Sequence, residues 1–122
     1  MHSYDDDNIF AKILRGELPC DKVYEDDWAL AFKDINPQAP VHLLVVPKGA
    51  YVSMDDFSAH ANDAEIAGFI RAVGIVAREA GCVEDGYRIL ANHGRDAHQE
   101  VDHFHIHIFA GRNMRGMIRR PD

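Results

Sequence analysis

The sequence predicts an α+β fold, an antiparallel sheet carrying one long and one short helix, and three observations predict it. Residues 102–109, D-H-F-H-I-H-I-F, alternate polar and apolar side chains with period two, in residue types that favour strands. Residues 62–80 instead space Ile66, Phe69, Ile70, Val73, Val76, Ala77 and Ala80 three and four apart, the buried stripe of a long helix. Between residues 22 and 46, three strand-like segments are separated only by short turns, which joins neighbours antiparallel. No glycine fingerprint follows a strand, so a dinucleotide-binding βαβ fold is not expected.

The 122 residues suit one domain, 1–122, large enough to bury a core. The net charge of −7 argues against broad nucleic-acid binding. Positive charge is concentrated at the C-terminus, where residues 115–122 form an Arg-rich tail; Arg112, Arg115, Arg119 and Arg120 read as a solvated end. Cys20 and Cys82 are far apart and form no C-x-x-C, as in reduced structural thiols. The acidic N-terminus has no apolar leader and no stretch is long enough to span a bilayer, so a cytoplasmic location without membrane attachment is expected.

Taken in order, Asp5 to Asp7 offer a cap for a two-turn helix bearing Ile9, Phe10, Ile13 and Leu14, with Gly16 as its stop. Lys22–Glu25 is a strand, Asp26-Asp27 a turn, and Trp28–Asp34 the returning strand. A proline-bounded turn over 35–40 leads into V-H-L-L-V-V, Val41–Val46, which Pro47 ends. Ser53–Phe57 suggests one helical turn. The long helix starts at Asn62 or Asp63 and ends near Ala80, with Gly81 past its end. Tyr87–Asn92 is a fourth strand, 93–100 a loop, and the histidine strand closes at Gly111.

On a strand, residues two apart share a face, so His103, His105 and His107 line one side while Phe104, Ile106 and Ile108 enter the core. Three neutral imidazoles in a row suit either a metal or nucleophilic chemistry. One ion cannot easily reach from His103 to His107, so a metal site would pair two of them with His42 or His98. As a nucleophile, neutral imidazole has a lone pair on one nitrogen and needs its other nitrogen held to fix the tautomer. Neighbouring histidines, and N–H groups from the loop between Asn92 and Gln99, would then serve a phosphate. Spacing alone leaves both readings open, together with inert surface histidines. His42, the one polar residue in an apolar strand, reads by itself as a satisfied core histidine.

H-F-H-I-H-I-F resembles the His-x-His-x-His signature of the histidine-triad (HIT) family. Phe32 to Lys48, F-K-D-I-N-P-Q-A-P-V-H-L-L-V-V-P-K, is similar to a block of the Hint branch, and so is I-F-A-K-I-L-R-G-E-L-P at residues 9–19. The three blocks stand in the family's order, and the resemblance runs from about Asn8 to Met114.

This resemblance implies a HIT-like fold that dimerises to extend its sheet, and a purine nucleotide-binding hydrolase that cleaves nucleoside 5′-phosphoramidates such as AMP-amines. His105 matches the nucleophile that forms a nucleotidyl-histidine, His107 the member beside the phosphate oxygens, and His103 the one that holds the network. His42 matches a supporting histidine on the neighbouring strand. Asp34 matches the ribose-binding carboxylate, and Ile9, Phe10, Ile13, Phe32 and Ile35 the walls around the base. Asn92 and Gln99 match phosphate-side polar contacts, with Glu100 and Val101 in the same loop. No metal and no cofactor is expected, because the cysteine pair that accompanies zinc in some relatives is missing. This chain departs from the pattern at His98, where glycine is frequent, at Glu100, where a small hydroxyl residue is common, and at Lys33, where histidine is frequent. The competing functions are a Fhit-like dinucleoside polyphosphate hydrolase and a nucleotide-binding regulatory module.

Overall fold

A computed structural model describes residues 3–117. The chain forms α1 (Ile9–Leu14), β1 (Lys22–Glu25), β2 (Ala29–Lys33), β3 (Val41–Pro47), α2 (Met54–His60), α3 (Asp63–Glu79), β4 (Arg88–Leu90) and β5 (Ile106–Ala110). A single turn of 3-10 helix, Arg95–Ala97, interrupts the loop before β5. The strands make one sheet in the order β1-β2-β3-β5-β4, and every neighbouring pair is antiparallel. The α+β fold with an antiparallel sheet is therefore as the sequence predicts, with α2 running a turn longer than Ser53–Phe57.

Period-two alternation gives the sheet two apolar faces. Ala29, Ala31, Leu43, Val45, Phe104, Ile106 and Ile108 face α2 and α3, and pack with Phe57, Phe69, Ala72, Val73 and Val76. Leu30, Phe32, Leu44 and Val46 point the other way and are covered by Phe10 of α1. The short helix therefore roofs the same face that carries His42, His105 and His107.

The helix ends follow local chemistry. α3 opens with a capping box in which Asn62 and Glu65 satisfy one another's backbone N–H groups. Gly81 beyond its end takes a left-handed φ of 75°. The cap of α1 is Asn8, whose side chain accepts from Ala11 N–H, and not an aspartate of residues 5–7. Asp5 serves one step earlier, its carbonyl holding Asn8. Ile70 within α3 is 55 % exposed, and Ala80, which only caps its C-terminus, is also exposed, contrary to the expected stripe. Ile70 lies about 100° around the helix from Phe69, at the margin of the buried face, while Ala72 takes the buried place. Gly68 is small for a packing reason: a Cβ there would lie 2.3 Å from the Trp28 ring.

The histidine stretch departs most from expectation. β5 begins only at Ile106, so His103 and His105 precede it. β3 and β5 pair with Val45 opposite Ile106, and the same register would set Pro47 opposite Phe104. Proline has no N–H to donate, so the ladder stops. Phe104 N–H donates instead to Tyr51 O (2.7 Å). The fourth strand is likewise shorter than Tyr87–Asn92, because its pairing with β5 ends at Leu90 opposite His107. Trp28 and Asp34 flank β2 rather than belong to it.

The basic C-terminal segment is not simply solvated where it is described. Arg112 donates to Gln38 O (3.0 Å), and Arg88 holds the chain through Arg115 O (3.1 Å). Arg119 and Arg120 lie outside the described residues. Among the described residues no helix is long and apolar enough to cross a membrane.

Candidate active site

A cleft of about 510 Å³ opens between α1, the end of β2 and the loop before β5. That is ample for a mononucleotide-sized ligand. Ile9, Phe10, Ile13, Phe32, Asp34 and Ile35 line the cleft. So do Asn92, Glu100, Val101, His105 and His107. Ile35 is 90 % exposed, a large apolar side chain held open to solvent at the mouth of the cleft. Residues more than ninety positions apart in sequence thus meet at one concavity.

Three expected site residues, His103, His42 and Gln99, stand behind this surface, while His105 reaches it. His103 is fully buried, and His42 and His105 are nearly so. Gln99 is spent on the loop itself: its amide donates to Val52 O (2.7 Å) and Val101 O (3.0 Å), and its oxygen accepts from Gly94 N–H (3.0 Å). Its side chain braces the wall of the cleft. His98 adopts a left-handed φ of 56°, the physical reason glycine suits this position.

The hydrogen bonds define the imidazole tautomers. Gln38 N–H can only donate, and it points at His42 Nδ1 (3.1 Å). The His42 proton is therefore on Nε2, which donates to His107 Nδ1 (2.9 Å). His107 in turn keeps its proton on Nε2, on the side that lines the cleft. His105 is set the opposite way. Its Nδ1–H donates to the His103 carbonyl (2.8 Å), which leaves the Nε2 lone pair unengaged. One imidazole thus presents a lone pair and the next a donor, with ring centroids 5.0 Å apart. Phe10 meets His105 edge-on at 4.9 Å, linking the roofing helix to the histidine.

Burial keeps all four rings neutral. It pushes His103 and His107 down to about 4, with the neighbouring histidines adding to the shift at His107. His105 and His42 are also lowered by burial, against the opposing pull of Asp34. In the unfolded chain these rings protonate near 6.5. Between about pH 6.5 and 4 the unfolded state thus binds more protons than the folded one, and stability falls as pH falls. His103 alone should cost roughly 3 kcal/mol across that window; His107, whose ring borders open solvent, should cost less. Urea unfolding at a series of pH values checks this. A profile flat from pH 7 to 4.5 would contradict neutral, buried imidazoles.

Asp34 divides its two oxygens. Oδ1 accepts from Asn36 N–H (2.8 Å), which makes the turn, and Oδ2 lies 3.4 Å from His42 Nε2. Asp34, His42 and His107 each offer a ligand atom within 4.8 Å of the others, a spacing that would fit a metal ion. Such an ion would have to displace the His42 proton and break the bond that orients His107. Reading from sequence missed Gln38, Pro47 and Tyr4, whose roles run through main-chain atoms or a distant contact. Only the presence of prolines near His42 hinted at irregular backbone there.

The family model described as "HIT domain" matches residues 15–114. Among curated proteins, an uncharacterised HIT-like protein of Azospirillum brasilense is 67 % identical over 97 % of each chain. The purine nucleoside phosphoramidase of Escherichia coli is 41 % identical, covering 93 % of this chain and 94 % of its own. Among solved structures, a HIT family hydrolase from Clostridium thermocellum aligns with a TM-score of 0.81 at 36 % identity, covering 93 % of this chain and 98 % of its own.

Proposed function

This chain belongs to the HIT domain family, in the company of HIT family hydrolases, and from that premise we propose that it hydrolyses purine nucleoside 5′-phosphoramidates through a covalent nucleotidyl-His105 intermediate. The observation that carries the reading is the opposed tautomer pair: a free lone pair on His105 Nε2 beside a donor on His107 Nε2. The relative named purine nucleoside phosphoramidase supports the choice of P–N substrate.

In the proposed reaction His105 Nε2 attacks the α-phosphorus and the P–N bond breaks. The electron pair leaves with the amine, which takes up a proton. His107 Nε2–H donates to a non-bridging phosphate oxygen, whose charge grows as phosphorus becomes five-coordinate. Water then attacks the phosphorus and gives up a proton to solvent, which balances the one the amine took from it; the P–N bond to His105 breaks, its electron pair returns to Nε2, and the nucleoside monophosphate departs. Two smaller barriers replace one large one. Asp34 accepts from the ribose hydroxyls through Oδ2, and Ile9, Phe10, Ile13, Phe32 and Ile35 cover the base. The exposed Glu100 lines the same cleft and is assigned, as part of this proposal, to the departing amine. Turnover of adenosine and guanosine phosphoramidates, set beside a diadenosine polyphosphate, tests the reaction class. Faster cleavage of the polyphosphate would transfer the chain to the dinucleotide-hydrolase reading.

Asp34→Ala should weaken AMP binding by roughly 1.5–3 kcal/mol, the range for hydrogen bonds to a charged group. Asp34→Asn separates the two duties of this side chain, because it keeps an acceptor for Asn36 N–H while losing the charge. Calorimetric affinity unchanged in both variants would leave Asp34 a turn residue only.

We also propose a homodimer that continues the sheet. β4 is an edge strand, with Ile89 and Leu90 exposed on it and Ile70 exposed on α3. Unpaired edge backbone beside exposed apolar side chains is a surface that association would cover. Light scattering at micromolar protein should report twice the chain mass, and a monomer there would remove the proposed interface.

A further inference from the structure

Tyr4 lies outside residues 15–114, the span matched by the family model, yet its hydroxyl reaches His103 Nδ1 at 2.6 Å. The two rings meet edge-on, with centroids 5.6 Å apart. The other ring nitrogen, His103 Nε2, is 2.9 Å from Pro47 O. A carbonyl can only accept, so Nε2 of the neutral ring holds the proton and Nδ1 holds the lone pair. The phenol is therefore the donor. The reverse tautomer would aim two lone pairs at each other across 2.9 Å in a site closed to water. The main-chain carbonyl of this same residue receives His105 Nδ1–H. His103 is thus clamped at both ring nitrogens while its backbone clamps the next histidine.

We infer that Tyr4 is a positioning residue: its hydroxyl locks the His103 ring, so that the His103 carbonyl holds His105 with its Nε2 lone pair turned to the cleft. The inference rests on the proposed role of His105. Tyr4 itself lies behind the histidines, outside the residues that line the cleft. The segment before α1 is part of the catalytic support for this reason: Asn8, four residues on, caps the helix whose Phe10 packs on both His103 and His105.

Tyr4→Phe tests this, because it keeps the ring and removes only the donor. In the full chain, 15N spectra of the imidazoles should show wild-type His103 with a hydrogen-bonded bare Nδ1 and a protonated Nε2. They should also show His105 with a slowly exchanging Nδ1–H. In Tyr4→Phe the His103 Nδ1 signal should shift and the His105 Nδ1–H should broaden or vanish. Turnover should fall by about tenfold or more, with KM for an AMP-amine within about twofold of wild type. Tyr4→Ala, which also removes the ring contact, should fall further in kcat along the same line. Unchanged kcat in Tyr4→Phe overturns the inference whatever the spectra do. A matching loss of AMP affinity and of the unfolding midpoint also overturns it, in favour of a general packing role. If the wild-type protein cleaves no phosphoramidate, the proposed function fails, and the 15N arm still judges the Tyr4–His103 clamp by itself.

Discussion

Replacing His105 with alanine is expected to lower turnover of an AMP-amine by about 10⁴-fold or more, the scale on which a covalent nucleophile contributes. AMP affinity should change little, since the proposed ribose and base contacts are made by Asp34 and the apolar side chains that line the cleft. A nucleotide should be trappable on His105 in the wild-type protein, because the first step consumes no water and the second does. The rival is a metal ion seated on the histidines. It predicts that a chelator abolishes activity, that zinc restores it, and that losses are similar for Asp34, His42 and His107, the groups spaced to hold an ion. The nucleophile reading predicts chelator-resistant turnover and a steep order with His105 the worst. Zinc-restored activity after chelation would overturn the assignment.

His107→Ala is expected to cost about 10²- to 10³-fold in kcat, the range for removing one donor to a developing oxyanion. His42→Ala should cost less, about tenfold. Without it His107 Nδ1 loses its donor, and the ring can hold its proton on either nitrogen. Part of the population still presents Nε2–H. This ranking comes from the direction of two hydrogen bonds, Gln38 N–H to His42 and His42 to His107. If His42→Ala equals or exceeds His107→Ala, His42 acts on the substrate or the fold directly, and the tautomer relay is not its main task. The two residues should also be strongly non-additive, because each works through the other.

Much of the framework was legible along the chain because it is local. The stripe of α3 is set by residues three and four apart, and its start at Asn62 by a side chain that caps the first turn. The alternation of Phe104, Ile106 and Ile108 puts them into one core even where the strand is not paired. The same alternation puts His105 and His107 on the opposite face with Leu44 and Phe32. Ile35, which local patterning would leave as a turn residue, lines the cleft, and only the resemblance pointed to it.

What the tertiary structure decided is how those histidines differ from one another. Period two makes His103, His105 and His107 equivalent, yet they are a clamped buried ring, a lone-pair bearer and a donor. For two of them the difference comes from a partner far away in sequence, Tyr4 and Pro47 for His103 and Gln38 through His42 for His107, while His105 is set by the carbonyl of the clamped His103. The strand ends early because Pro47, across the sheet, has no N–H to give. Gln99 becomes a brace because Val52 offers it a carbonyl. Sequence periodicity specifies which face a side chain takes, since that depends on backbone geometry within a few residues. Which nitrogen carries the proton depends on what a second segment sets against the ring, and only the folded chain brings that segment there.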